Sequence, residues 1–72
     1  MKKISVSLSG HQTSITLEPE FLDALHALSI RAGKPVATII NEIDQTRPQG
    51  TNLSSAIRVW ILNQMILRIA EK

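Results

Sequence analysis

Residues 11–25, HQTSITLEPEFLDAL, decide the fold, because the hydrophobic period changes within this stretch. Up to Leu17, apolar and polar residues alternate, which predicts a short β-strand with one apolar and one polar face. After Pro19, which suits the first turn of a helix, apolar residues recur every three or four positions and predict an amphipathic helix. The polar face of the strand consists of Gln12, Ser14 and Thr16.

The backbone edge of this strand needs a hydrogen-bonding partner. Residues 3–8 also alternate and predict a first strand, which Ser9, Gly10 and His11 separate from the second. This break is either a hairpin turn or a bulge in one long strand, and the sequence leaves both open. The simplest partner for the second strand is its equivalent in a second copy of the chain. The two polar faces would then lie side by side on an exposed two-stranded ribbon.

Turn and cap residues divide the rest of the chain into helices. Gly33 suits a left-handed helix end, and Pro35 suits the first position of the next helix. The run TRPQGT, residues 46–51, predicts a loop, after which Asn52 or Ser54 caps a third helix. The predicted class is α+β and mainly helical, in a single domain over residues 1–72. The predicted elements are strands at about 3–8 and 12–17 and helices at about 19–32, 35–45 and 53–70.

The composition indicates a homodimer. A chain of 72 residues buries too little surface to be comfortably stable alone, yet 43% of this one is hydrophobic. Apolar residues cover more than half of the circumference of the third helix, which is typical of a helix buried between partners. Trp60, one of two aromatic residues, is expected to anchor the dimer core.

Several classes of protein are disfavoured. The chain has no Cys, which excludes disulfides and thiolate metal sites. Polar residues interrupt the apolar stretches of residues 59–70, so we expect no membrane span and a cytoplasmic protein. The net charge of +2 permits nucleic-acid binding without indicating it.

Catalysis finds no support in the sequence. His11 and His26 are the only imidazoles, and neither has a carboxylate or a nucleophile at a recognisable spacing. The acidic residues at the start of the first helix are explained by the helix dipole. We therefore expect no enzyme, no catalytic residues, no metal site and no cofactor.

The order of strand, helix, glycine-containing turn and helix resembles the ribbon-helix-helix DNA-binding proteins, a family of dimeric bacterial and phage repressors. More narrowly, a bacterial subfamily is similar at GHQTSITLE (residues 10–18), Phe21, Gly33, Ile43-Asp44 and NLSSAIRV (residues 52–59). The resemblance covers about residues 3–62. It implies an intertwined homodimer whose strands pair antiparallel and enter the major groove of double-stranded DNA.

The resemblance also assigns roles to residues. Alternate strand residues would contact base edges, and the N-terminus of the second helix would bind a phosphate. The base-facing residues would be Gln12, Ser14 and Thr16. The phosphate contacts would come from Lys2, Lys3, Lys34 and the backbone amides of Val36 and Ala37. The dimer core would contain Thr13, Ile15, Leu17, Phe21, Ile40 and Trp60.

Two functions follow from these observations. The first is a sequence-specific DNA-binding homodimer that regulates transcription, which the polar strand face and the family pattern favour. The alternative is a protein-interaction or antitoxin-like assembly module that keeps the dimeric fold without operator binding. Pro35 favours the alternative, because it stands where the family usually has a Ser- or Thr-like cap. The uncharged strand face favours it too, and leaves phosphate binding to Lys2, Lys3, Lys34 or Arg31.

Two further side chains are given structural roles. Asp44 is expected to end the second helix or to cap the loop that follows it. Arg58 is expected to form a structural ion pair with Asp44 or Glu42 across that loop.

Overall fold

A computed structural model describes residues 1–70 of the chain. It contains an antiparallel strand pair followed by three helices, so the predicted fold class is confirmed. The elements are β1 (Lys2–Leu8), β2 (His11–Leu17), α1 (Pro19–Ala32), α2 (Val36–Thr46) and α3 (Leu53–Ala70).

The strands form a hairpin within one chain. Ser5 lies opposite Ser14, and a turn of two residues, Ser9 and Gly10, joins Leu8 to His11. Both turn residues have positive φ, 49° and 85°, which is the signature of a type I′ turn. Of the two alternatives for the break, the hairpin is correct. Strand β1 pairs with one edge of β2 and leaves the other edge open, so pairing of β2 with the same strand of a second chain stays a prediction.

One face of the hairpin rests on the helices. Strand β1 packs against α2, and β2 packs against α3. The buried core consists of Val6, Leu8, Ile15, Leu17, Leu22, Leu25, Leu28, Ile39, Ile40, Ile43, Ile57 and Ile61. Three of the residues predicted for a dimer core, Ile15, Leu17 and Ile40, are thus buried by their own chain. The other three, Thr13, Phe21 and Trp60, are only half-buried.

The connection between α1 and α2 follows the sequence prediction closely. Gly33 adopts φ 68° and ends α1 in the left-handed conformation, with its N–H donating to the Ile30 carbonyl. The prediction that Pro35 is the first residue of α2 is wrong by one position. Pro35 is extended, with ψ 148°, and its carbonyl accepts the first helical hydrogen bond from the Ile39 N–H. Helix α2 therefore begins at Val36.

The loop between α2 and α3 begins one residue later than predicted. Thr46 belongs to α2, where its hydroxyl donates to the Glu42 carbonyl at 3.1 Å. At the other end of the loop, Asn52 is the residue that caps α3. Its Oδ1 accepts hydrogen bonds from the N–H groups of Ser54, at 2.9 Å, and Ser55, at 3.3 Å.

Helix α3 has more apolar surface than the core can cover. Ile57 and Ile61 face the core, whereas a second set of large apolar side chains is more than half exposed. This set comprises Val59, Leu62, Ile66, Leu67 and Ile69. Along residues 1–70, no helix combines the length and the hydropathy that crossing a bilayer requires.

Candidate nucleic-acid interface

The outer face of the hairpin is entirely polar. Alternation along each strand turns the apolar residues toward the helices, so the intervening residues share the opposite face. These residues are Lys3, Ser5, Ser7, Gln12, Ser14 and Thr16, and each is exposed. We call this set the polar ribbon face. It is built from both strands of one chain.

The register places these side chains in cross-strand pairs. Thr16 lies opposite Lys3, Ser14 lies opposite Ser5, and Gln12 lies opposite Ser7. The base-facing set predicted from sequence is therefore on one face, as the alternation required. Within the chain, its neighbours on one side are three residues of β1, which the prediction did not include.

Ser5 and Ser7 were absent from the predicted site. Their signal was present in the sequence, since ISVSL in residues 4–8 has the same alternation as TSITL in residues 13–17. Only the hairpin register shows that these serines share a face with Gln12 and Ser14. Elsewhere in residues 1–70, side-chain hydrogen bonds form on the helices, on their connecting loops and at the start of α1. The hydroxyl and amide groups of the polar ribbon face are directed at solvent.

The two N-terminal lysines lie on different faces of β1. Lys3 belongs to the polar ribbon face, whereas Lys2 is in phase with the core-facing residues. Lys2 lines a groove between β1 and α1, together with Asp23 and His26. Of the predicted pair, Lys3 is therefore the cation that accompanies the polar ribbon face.

Lys34 is engaged in an ion pair. Its Nζ lies 3.1 Å from each carboxylate oxygen of Glu42, and both side chains are about half exposed, at 50% and 51%. Exposed pairs of this kind contribute about 0–1 kcal/mol, so Lys34 can exchange this partner for another anion at small cost.

The N-terminus of α2 carries the predicted phosphate-binding amides. Val36 is half-buried and Ala37 is exposed, and the first turn contains no acidic residue. An unopposed helix N-terminus favours an anion. Pro35 supplies no side-chain hydrogen bond to this end of the helix. The side chain of Pro35 therefore does not cap the N–H groups of this turn.

The prediction for Arg58 is wrong. Its Nε donates to Glu18 Oε1 at 2.9 Å, and not to Asp44 or Glu42. Asp44 instead pairs with Arg47, at 2.8 Å, where α2 gives way to the loop. Asp44 therefore does not end α2, which continues to Thr46, but its carboxylate holds Arg47, the first residue of the loop.

Three cations of the described chain are thus held in ion pairs. The remaining cations of residues 1–70 are Lys2, Lys3, Arg31 and Arg68. Arg31 and Arg68 line a groove between the C-terminal parts of α1 and α3. Lys3 is the only charged residue on the polar ribbon face. Positive charge near this face is therefore sparse, and recognition there depends mainly on neutral hydrogen-bonding groups.

Comparison with known proteins identifies the family. The ribbon-helix-helix domain family matches residues 1–65, nearly the whole chain, and the protein belongs to this family. Proteins with this domain generally bind DNA, regulate transcription and form dimers. No curated protein and no solved structure matches the chain significantly. The narrower bacterial subfamily suggested by the sequence motifs stays a prediction.

Proposed function

We propose that the protein is a sequence-specific DNA-binding homodimer that regulates transcription by placing its polar ribbon face in the major groove. The main support is that face itself, an uninterrupted row of polar side chains on a ribbon whose opposite side is buried. The major groove is about 12 Å wide and admits a two-stranded ribbon.

The side chains on this face suit base recognition. The amide of Gln12 can bind adenine through N6 and N7, and serine or threonine hydroxyls can donate to or accept from several bases. In the hairpin, Ser5 and Ser7 add hydroxyl groups next to those of Ser14 and the amide of Gln12. The proposed reading surface is therefore wider than one strand.

Phosphate contacts would come from cations and amides at the edges of the interface. Lys3 extends from the polar ribbon face, and the Val36 and Ala37 amides lie at the start of α2. Lys34 lies beside these amides and would join them after releasing Glu42. Each phosphate neutralised in this way makes binding more sensitive to salt.

The alternative function is a protein-interaction or antitoxin-like assembly module. Two observations favour it: Glu42 already neutralises Lys34, and α3 exposes a large apolar surface. Both are compatible with DNA binding, since the apolar surface belongs to α3 and the polar ribbon face to the hairpin. DNA binding therefore remains the better-supported function.

The test begins with selection of random genomic fragments by the purified protein, followed by sequencing. On the recovered site, Gln12→Ala should weaken binding by about 1–3 kcal/mol while leaving binding to unrelated DNA nearly unchanged. Gln49→Ala is the matched control, because Gln49 is an exposed glutamine in the loop between α2 and α3.

The result can contradict the proposal in two ways. If the folded protein enriches no fragment, sequence-specific binding is absent and the interaction module is the better function. If a site is recovered but Gln12→Ala and Gln49→Ala bind it equally well, and Ser5→Ala and Ser14→Ala do too, the polar ribbon face does not read bases.

A further inference from the structure

A groove lies between the C-terminal parts of α1 and α3. Its volume is about 280 Å³, close to the lower end of the range of about 300–1,000 Å³ that is typical of small-molecule sites. The polar ribbon face contributes no residue to it. The lining combines aliphatic, aromatic, amide and guanidinium groups, from Leu28, Arg31, Trp60, Gln64, Leu67 and Arg68. We call this groove the arginine groove.

The two arginines of this groove are in no ion pair among residues 1–70, unlike Lys34, Arg47 and Arg58. The helices that carry them offer no nearby acid. Residues 53–70, which form α3, contain no Asp or Glu. On α1, the acid nearest to Arg31 is Asp23, eight positions away, or about 12 Å along the helix axis. Within the described part of the chain, the positive charge at the arginine groove therefore has no partner.

The arginine groove also presents apolar surface. Leu28 is buried, whereas Leu67 is 55% exposed and Trp60 is half-buried. A hydrated inorganic ion would leave the leucine side chain and the indole ring in contact with water. A ligand with an apolar body would cover both, and removal of apolar surface from water favours binding.

We propose that the arginine groove binds a small organic anion that carries a carboxylate on an aromatic body. A guanidinium binds a carboxylate through two parallel N–H donors, and Arg31 and Arg68 provide two such groups. The aromatic body would pack on Trp60 and Leu67, and the amide of Gln64 can donate to the carboxylate or accept from another polar group. This inference goes beyond the proposed function and does not depend on DNA binding.

The apolar lining favours an organic anion over a DNA phosphate. Arg31 was one of the cations considered for phosphate binding from the sequence. A backbone phosphate brings negative charge without an aromatic body, so it would satisfy Arg31 and leave Trp60 and Leu67 uncovered. The two ligands therefore differ in the part that Trp60 would contact, and this difference can be measured.

The test uses nuclear magnetic resonance with 3-phenylpropionate as the probe, in phosphate-free buffer at constant salt. The chain has one tryptophan, so it has one indole N–H resonance. The probe should shift this resonance with a Kd on the order of 1 mM. Two comparison compounds should each bind about tenfold more weakly. They are 3-phenylpropionamide, which lacks the charge, and inorganic phosphate, which lacks the ring.

A second groove makes the location of the probe part of the test. Trp60 also lines a groove beside the loop between α2 and α3, where Asn63 and Thr51 lie. Binding in the arginine groove should shift the side-chain amide of Gln64 and the backbone amide of Ala32, which line only that groove. Shifts at Asn63 and Thr51 without shifts at Gln64 and Ala32 would place the probe in the second groove and overturn the proposal.

Charge variants test the role of the guanidinium groups. Arg31→Gln and Arg68→Gln should each weaken binding of 3-phenylpropionate about tenfold, because each removes a hydrogen bond between charged groups. Lys2→Gln is the matched control, since it removes the same charge from an exposed residue outside the arginine groove. It should leave the affinity unchanged. Circular dichroism should show that all three variants are folded.

Four other outcomes would overturn the proposal. One is a Trp60 resonance that does not move at about 10 mM probe, well above the expected Kd. A second is equal binding of the amide and the carboxylate, which would leave the arginines without a role. A third is phosphate that binds as tightly as the probe, which would make Arg31 a phosphate ligand. The fourth is an equal loss of affinity in Lys2→Gln and Arg31→Gln, which would reduce the effect to net charge.

Discussion

The Arg58 guanidinium and the Glu18 carboxylate join the start of α1 to the second turn of α3. Arg58 Nε lies 2.9 Å from Glu18 Oε1, and the two residues are 40 positions apart in sequence. Glu18 is also the N-cap residue of α1, and its backbone carbonyl accepts hydrogen bonds from the Phe21 and Leu22 N–H groups. The pair therefore connects the end of the hairpin, the first turn of α1 and α3.

This ion pair should make stability depend on pH. The hydrogen bond from Arg58 lowers the pKa of Glu18 below its ordinary value of 4.5. Because the folded-state pKa is the lower one, the pair stabilises the fold above the unfolded-state pKa, and this contribution is lost as the pH falls through the folded-state pKa. The Tm difference between the wild type and Glu18→Gln should be largest near neutral pH and shrink below about pH 4.5.

Glu20→Gln is the control for this prediction. Glu20 is an exposed acid in the first turn of the same helix, so its replacement removes the same charge without removing the contact to Arg58. Equal effects of the two variants at every pH would show that the helix dipole accounts for the loss and that the ion pair contributes nothing.

The hairpin turn should tolerate substitution at one of its positions and not at the other. Gly10 has φ 85°, so Gly10→Ala forces an alanine into the left-handed region and should destabilise the protein by about 1 kcal/mol or more. Ser9→Asn should be neutral or stabilising, because Asn-Gly is a preferred type I′ turn. Urea denaturation measures both changes. Destabilisation by Ser9→Asn and not by Gly10→Ala would exclude this turn type.

The two faces of β2 should respond differently to a charge. Ile15→Asp should unfold the protein, since Ile15 is 5% exposed in the core, whereas Thr16→Asp should leave it folded. Thr13 is half-buried, so Thr13→Asp should be intermediate and not fully disruptive. Far-ultraviolet circular dichroism and thermal denaturation distinguish these cases. A folded Ile15→Asp variant and an unfolded Thr16→Asp variant would mean that the register is shifted by one residue.

The salt dependence of DNA binding should show which lysines contact phosphate. Lys3→Ala should reduce the slope of log K against log salt by about 0.9 per phosphate contact, because Lys3 lies on the polar ribbon face. Lys2→Ala should change the slope little, since Lys2 lies on the opposite side of β1. For Lys34, Glu42→Gln is informative: it frees the lysine and should strengthen binding. If Glu42→Gln has no effect on binding or on the slope, Lys34 does not contact phosphate.

The stability lost when a side chain is truncated to alanine should follow how deeply that side chain is buried rather than how large it is. Ile57→Ala should cost about 2–5 kcal/mol, because Ile57 is 0% exposed. Trp60 is only half-buried and lines a surface groove with Leu28 and Leu67, so Trp60→Ala should cost less than the ~3–5 kcal/mol typical of a fully buried aromatic. Chemical denaturation of both variants at one protein concentration provides the comparison. A larger loss for Trp60→Ala would show that the ring is buried in the dimer.

The order and nature of the elements could be predicted from the sequence because their signals are local. Each signal depends on neighbouring residues only. The signals are the change of hydrophobic period around Pro19, the left-handed glycine at Gly33, and the proline and glycine of the loop before Asn52. The same locality explains the error at Pro35, since a proline suits both the last position before a helix and the first one within it. The face shared by Gln12, Ser14 and Thr16 followed from strand alternation alone.

Some contacts could be decided only by the tertiary structure. They join residues that are distant in sequence, or they involve residues that compete for one partner. Alternation cannot say which strand lies beside β2, and the hairpin places Ser5 and Ser7 of the same chain along one of its two edges. Opposite charges alone cannot say which acid Arg58 meets, since Glu18, Glu42 and Asp44 were all available until helix packing brought Glu18 within 2.9 Å. The excess of apolar residues on α3 was visible in sequence, but only packing determined which of them the core covers and which remain exposed. A pattern specifies a face, and the position of the neighbouring elements determines what that face contacts.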